Sequence, residues 1–139
     1  MINFITIIKN ILEEQGKTPQ DLFESQIISE NTFYKYKQRY PSLKTLIKLV
    51  NYLQVSIDYL FDFTSENNFS SYNLNNEIFY NKLIELIDRN KLSGRRFCKD
   101  LHYSRDNLIR WKNGTQPTVK TLFEISSYFS CTIDELLKK

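Results

Sequence analysis

Glycine and proline each occur only three times in 139 residues. A barrel or sandwich of short strands needs far more turn residues than that, so the scarcity points to helices. Cysteine and histidine are scarcer still: Cys98, Cys131 and a single His102. Three such groups make neither a disulfide framework nor a zinc site. Both cysteines fall at apolar positions of expected helices and read as buried small hydrophobes, with reduced thiols that suit the cytosol. No glycine-rich phosphate loop, no paired carboxylates in a recognisable frame and no metal motif can be found. The neighbouring Glu13 and Glu14 read as a solvated helix face. No catalytic residue, metal ligand or cofactor is therefore assigned, and the chain reads as non-enzymatic. No apolar run approaches the ~18 residues that a membrane span needs. The opening MINFITIIKNILEEQGK lacks a basic start and a small-residue cleavage site. Its apolar residues recur at helical spacing, so it reads as a helix rather than a signal peptide. The expectation is a soluble, cytoplasmic protein with no membrane partner.

What is present is ordinary in amount and uneven in place. Hydrophobic residues at 41% and charged residues at 25% describe a globular chain rather than a disordered one. The net charge of +3 is modest, but residues 1–70 carry seven basic against eight acidic residues, and residues 71–139 carry twelve against eight. The second half is the better candidate for a surface that faces phosphates.

Helical punctuation runs through the chain. Phe4, Ile8, Ile11 and Leu12 place an amphipathic helix over 3–15, which Gly16 ends. Thr18 caps a second helix, with Pro19 at its first position and Asp21 placed for a capping box. Leu22 and Phe23 supply its buried side. A turn at 26–28 leads to Ser29, which caps a third helix over 30–37 held by Phe33 and Tyr36. Pro41 and Ser42 open a fourth, with Leu43, Leu46, Leu49, Val50 and Leu53 inward, and Ser56 opens a fifth with Ile57, Leu60 and Phe61. Residues 62–76, DFTSENNFSSYNLNN, break the period and read as a linker. Phe63, Phe69, Tyr72 and Leu74 are interleaved in it, so part of it is expected to pack.

The pattern then repeats. At an offset of 75, Phe4, Ile8, Ile11 and Leu12 become Phe79, Leu83, Leu86 and Ile87, Thr18 becomes Ser93, Ser29 becomes Ser104 and Tyr36 becomes Trp111. One extra residue near Gly114 shifts the offset to 76, where Pro41-Ser-Leu-Lys-Thr-Leu46 becomes Pro117-Thr-Val-Lys-Thr-Leu122. A match of caps, core positions and prolines identifies an internal duplication. The clearest stretch is 104–122, SRDNLIRWKNGTQPTVKTL. Ser104 reads as its N-cap. Leu108 and Trp111 make one buried edge, and Gly114 suits a left-handed residue past the helix end. The other side carries donors, acceptors and positive charge, which a helix in the major groove needs.

These residues resemble the lambda-repressor-like (Cro/XRE-type) helix-turn-helix family. The second copy follows its pattern through Ser93, Phe97-Cys98, Leu101-His102-Tyr103, Ser104, Leu108, Trp111, Gly114, Pro117-Thr118, Thr121-Leu122 and Thr132-Ile-Asp-Glu-Leu136. The first copy lacks the glycine after helix three and has Tyr36 for the tryptophan. The resemblance implies an all-α protein of two tandem five-helix helix-turn-helix domains joined by a short polar linker. The boundaries expected are 1–62, 63–75 for the linker, and 76–139.

The resemblance also implies an activity: sequence-specific binding of double-stranded DNA by a transcriptional regulator, a bacterial or prophage repressor, acting on an operator or promoter in the nucleoid. The second domain's DNA-binding set is then Arg95, Arg96, Ser104, Arg105, Asp106, Asn107, Ile109, Arg110, Lys112 and Asn113. Arg105, Asp106, Ile109 and Arg110 would meet base edges, with Asn107 a candidate adenine reader. Arg95, Arg96, Lys112 and Asn113 would meet phosphates. In the first domain the matching residues are Glu30, Asn31, Tyr34 and Lys35, with Lys37, Gln38 and Arg39 near the backbone. Trp111 and Tyr36 read as core rather than base-stacking residues, and His102 as exposed. The family often places Gln second in its helix-two motif, where this chain has Pro19 and Gly94. A homodimer stays open, as does a protein partner: an antirepressor or an inhibitor of a host nuclease could use the same scaffold. A linker of about 15 residues spans at most ~50 Å, enough for one chain to reach two half-sites about 34 Å apart.

Overall fold

Most of the helices start where a short polar side chain meets an orphan backbone N–H. In the computed structural model, which describes residues 3–73 and 76–138, the chain divides into a unit spanning Met1–Asn73 and a second spanning Leu74–Lys139. The first holds α1 (Phe4–Glu14), α2 (Pro19–Glu24), α3 (Glu30–Tyr34), a 3-10 turn (Lys35–Lys37), α4 (Leu43–Leu53) and α5 (Ile57–Leu60). The second holds α6 (Asn76–Arg89), α7 (Gly94–Leu101), α8 (Asp106–Lys112), α9 (Val119–Phe129) and α10 (Ile133–Leu137). Among the described residues there is no strand. The all-α fold with two five-helix copies is therefore as the sequence implied.

The caps fall on the expected residues. Thr18 and Asp21 close a full capping box, with the Thr18 N–H donating to Asp21 Oδ2 at 2.9 Å. Ser29, Ser42 and Ser56 accept from the N–H groups of Thr32, Thr45 and Tyr59. In the second unit Ser93, Thr118 and Thr132 do the same for Arg96, Thr121 and Glu135. Caps of this kind stabilise a helix by about 1 kcal/mol each.

The two cores repeat position by position. Phe4, Ile8, Leu12, Leu22, Leu46 and Ile57 are buried in the first, and Phe79, Leu83, Ile87, Phe97, Leu122 and Ile133 in the second. Tyr36 and Trp111 are both buried, each against the first helix of its own unit. The Phe4 and Tyr36 rings meet edge to face at 5.6 Å, and Phe79 and Trp111 at 5.5 Å. The aromatic at the end of helix three is thus the pin that fixes that helix to the body of each unit. Cys98 is buried and its thiol is pushed up by that burial. Cys131 is only half-buried, a departure from the expectation for both cysteines.

Part of the segment expected as a linker is a strap on the first unit. Tyr72 is buried, and its hydroxyl accepts from the Ile57 N–H at 2.9 Å. Asn51 holds the Tyr72 backbone from both sides, accepting from its N–H at 2.9 Å and donating to its carbonyl at 3.1 Å. Asn67 accepts from the Ser56 N–H at 2.9 Å and donates to the Gln54 carbonyl at 3.0 Å. The strap thereby satisfies the orphan groups at the end of α4 and the start of α5. Residues 74 and 75 of the expected linker lie outside the described residues. Tyr72→Phe removes the acceptor for the buried Ile57 N–H. It is expected to lower the stability of the first unit by about 1–2 kcal/mol, read as a lower urea midpoint of that unit alone.

Candidate nucleic-acid interface

The second unit builds its exposed helix on a tightly closed turn. His102 takes a left-handed conformation (φ 61°) and ends α7, and the Tyr103 N–H returns to the Cys98 carbonyl at 2.8 Å. Tyr103 then anchors the turn. Its ring meets Trp111 edge on at 5.9 Å, and its hydroxyl donates to Glu124 Oε1 of α9 at 2.8 Å. Burial, with the Glu124 bond, pushes that phenol far above its ordinary range. Ser104 Oγ accepts from the Asp106 N–H at 3.2 Å, so it caps two residues on while Arg105 is already in the right-handed region. At the other end Gly114 turns left-handed (φ 107°), and the Thr115 N–H closes onto the Arg110 carbonyl at 2.9 Å.

Between those ends α8 has one inner and one outer side. Trp111 is buried and Leu108 half-buried, while Arg105, Asp106, Ile109, Arg110, Lys112 and Asn113 are exposed, as is Ser104. Asn107 is half-buried and its Oδ1 accepts from the Arg110 guanidinium, so these two side chains act as one polar unit. The arginines at the start of α7 differ from each other. Arg95 is exposed and makes no ion pair among the described residues. Arg96 pairs with Asp100 at 3.0 Å, and Asp100 also accepts from the Tyr128 hydroxyl at 2.7 Å. The Tyr128 bond first, and Arg96 after it, hold the Asp100 carboxyl below its usual range. That pair engages Arg96 Nε and offsets part of the charge this arginine would offer a phosphate. The i, i+4 spacing of Arg96 and Asp100 was the available signal in the sequence.

The first unit makes the same turn differently. Two residues before the capping serine stands Ile27, where the second unit has the left-handed His102. A β-branched residue strongly resists positive φ, and the chain places its left-handed residue at Gln26 instead (φ 65°). Helix α2 is accordingly six residues against eight for α7, and α3 is five residues before it tightens into the 3-10 turn. The expected helix over 30–37 is thus α-helical only to Tyr34. Glu30, Asn31, Tyr34, Lys35, Lys37, Gln38 and Arg39 are all exposed. Five of them, Tyr34, Lys35, Lys37, Gln38 and Arg39, line a single concavity of about 580 Å3, with Lys37 Nζ 5.6 Å from the centre of the Tyr34 ring. Glu30 and Asn31 are not among its lining residues. Three cations around one hollow make a surface suited to an anion, which linear sequence does not reveal.

The Cro/C1-type HTH DNA-binding domain matches the chain twice, over residues 8–66 and 82–138. The chain belongs to this family. Neither the curated proteins nor the solved structures gave a match. Each matched stretch runs from the first helix to the last of one unit, so the chain carries two Cro/C1-type domains in tandem. Among the described residues no helix is long and apolar enough to cross a membrane, and no cluster of three His, Cys, Asp or Glu could hold a metal ion. A Cβ on Gly94, where the family often places Gln, would lie 3.0 Å from Leu108 Cδ1, so a side chain there requires the tip of that leucine to shift by a few tenths of an ångström.

Proposed function

We propose that the chain is a sequence-specific regulator of transcription, a repressor of bacterial or prophage origin, whose α8 enters the major groove of an operator or promoter. The observation that carries this is the exposed side of α8. It combines Arg105, Asp106, Ile109 and the Asn107–Arg110 pair near the reading end with Lys112 and Asn113 beyond them. Arginine can bond bidentately to guanine O6 and N7. Arg95 and Lys112 suit phosphates, which position a protein without specifying sequence. Such a protein would act in the nucleoid. Selection of bound sequences from a random duplex pool, with the full chain, tests the reading directly. Arg105→Ala is expected to weaken the selected complex by about 1–3 kcal/mol and to relax preference at one base pair. Equal loss on every sequence would demote Arg105 to a phosphate contact.

In this reading both domains meet one duplex. The half-site spacing that the chain accepts would show in the selected sequences. Dimerisation of the chain on a longer operator remains compatible with this arrangement. A second reading applies to the first domain, where Glu30 stands at the helix start in place of Arg105 and α3 is shortened. These favour a protein partner there, as in an antirepressor or a nuclease inhibitor. Salt-insensitive capture of a protein by the chain, unaffected by Arg105→Ala, would support it.

A further inference from the structure

Large apolar side chains are left exposed at three described positions: Tyr34, Phe63 and Ile109. Phe63 stacks on Phe61 at 6.2 Å. The other two occupy the same place in the duplication, separated by the offset of 75, on α3 and α8. Their exposures are 43% for Tyr34 and 58% for Ile109. One exposed isoleucine needs no explanation. An apolar residue at the same outward position of both helices, in two copies whose surrounding polar residues have diverged, does. The chemistry around Ile109 narrows the occupant. Arg105 and the single anion Asp106 stand one turn before it, Lys112 and Asn113 one turn after, and Arg110 beside it, all exposed. A protein surface that buried Ile109 would have to bury or match those cations as well. A DNA groove takes Lys112 on its phosphates and the arginines on hydrogen-bonding base edges, and among those edges it offers one apolar group: the C5-methyl of thymine.

We propose that Ile109 determines specificity by packing its side chain on a thymine methyl in the major groove. This rests on the DNA-binding reading above and deepens it. The arginines of α8 recognise hydrogen-bonding edges, and Ile109 selects the A·T pair that presents a methyl. It also rejects a cytosine amine at that place, because the amine would lose its water and gain no acceptor.

The test uses the full chain and the duplex recovered by selection. Each thymidine is replaced singly by deoxyuridine, which removes the methyl and leaves every hydrogen bond intact, and binding is followed by fluorescence anisotropy. One substitution is expected to weaken wild-type binding about fourfold, the equivalent of ~0.8 kcal/mol for one methyl-sized group left in water. Ile109→Ala should bind the parent duplex more weakly and be indifferent to that same substitution. Ile109→Gln, checked with it for an unchanged melting curve, should be indifferent too. A wild type that tolerates every deoxyuridine overturns the proposal, and so does an Ile109→Ala chain that keeps the full penalty. If the full chain selects no duplex at all, the DNA-binding reading itself has failed, which is a different result from sequence-selective binding without a methyl effect.

Discussion

Trp111→Ala is expected to unfold the second unit and leave the first folded. Trp111 is 6% exposed and joins three elements: α8 itself, α6 through Phe79 at 5.5 Å, and the turn after α7 through Tyr103 at 5.9 Å. Truncation of a buried tryptophan costs about 3–5 kcal/mol. A unit of this size has a total stability of about 3–10 kcal/mol, so the substitution removes most or all of it. The loss would also loosen Tyr103, whose bond to Glu124 ties the turn to α9. Trp111 is the one tryptophan in the chain, so its fluorescence in the wild type reports on the second unit alone. In the variant, far-UV circular dichroism should show about half of the helical signal already lost, with the remainder melting at the first unit's midpoint. A single transition at the wild-type temperature would contradict the role given to this residue. Trp111→Phe keeps a ring against Phe79 and should cost less.

The second large effect is on salt. If the two domains together neutralise about five phosphates, raising salt from about 50 to 200 mM should weaken the selected complex about 500-fold. The exposed cations suited to phosphates are Arg95 and Lys112 in the second unit and Lys35, Lys37 and Arg39 in the first. The partition between them is the informative part. Each phosphate-contacting lysine or arginine changed to alanine should reduce the slope of log affinity against log salt by about 1 and leave sequence preference unchanged. Lys35, Lys37 and Arg39 share one concavity, so they should act as a group in this measure. If the triple substitution leaves the slope at its wild-type value, the first domain does not touch the duplex. The protein-partner reading of that domain would then take precedence. Arg96→Ala should have a smaller effect than Arg95→Ala, because the Asp100 carboxylate beside Arg96 offsets part of the charge it would offer a phosphate.

Much of this protein was legible in its chain because much of its structure is local. Capping depends on a side chain reaching an N–H two or three residues on, and a helical stripe on spacing within two turns. Ser29, Ser42, Ser56, Ser93, Thr118 and Thr132 could therefore be placed by inspection, as could the buried ranks of Phe4 and Phe79. The duplication added what local pattern lacks. It made Trp111 and Tyr36 equivalent, and equivalence is evidence of a shared architecture. The family match over both stretches agrees with that inference.

What escaped was set by contacts between distant residues or by backbone strain. The strap depends on Tyr72 reaching Ile57 and Asn51, and Asn67 reaching Gln54 and Ser56, across 11 to 21 residues of chain. An asparagine-rich stretch has the same composition whether it is free or docked. The first domain's turn depended on which residue could bear positive φ. The presence of Ile27 was a clue, but the shift to Gln26 and the shortening of α2 and α3 required the whole turn to be built.

Residues 104–122 show the division most clearly. The sequence by itself determined that they form a capped helix with one apolar edge, a basic outer side and a glycine turn, since each of those properties arises within a few residues. Only the tertiary structure decided which groups that helix leaves exposed, and it left Ile109 bare beside the cations. It also fastened the helix through Trp111 and Tyr103 to α6 and α9. Those outcomes follow from which helices pack together, and packing is decided by the apolar faces of the whole unit rather than by any one segment.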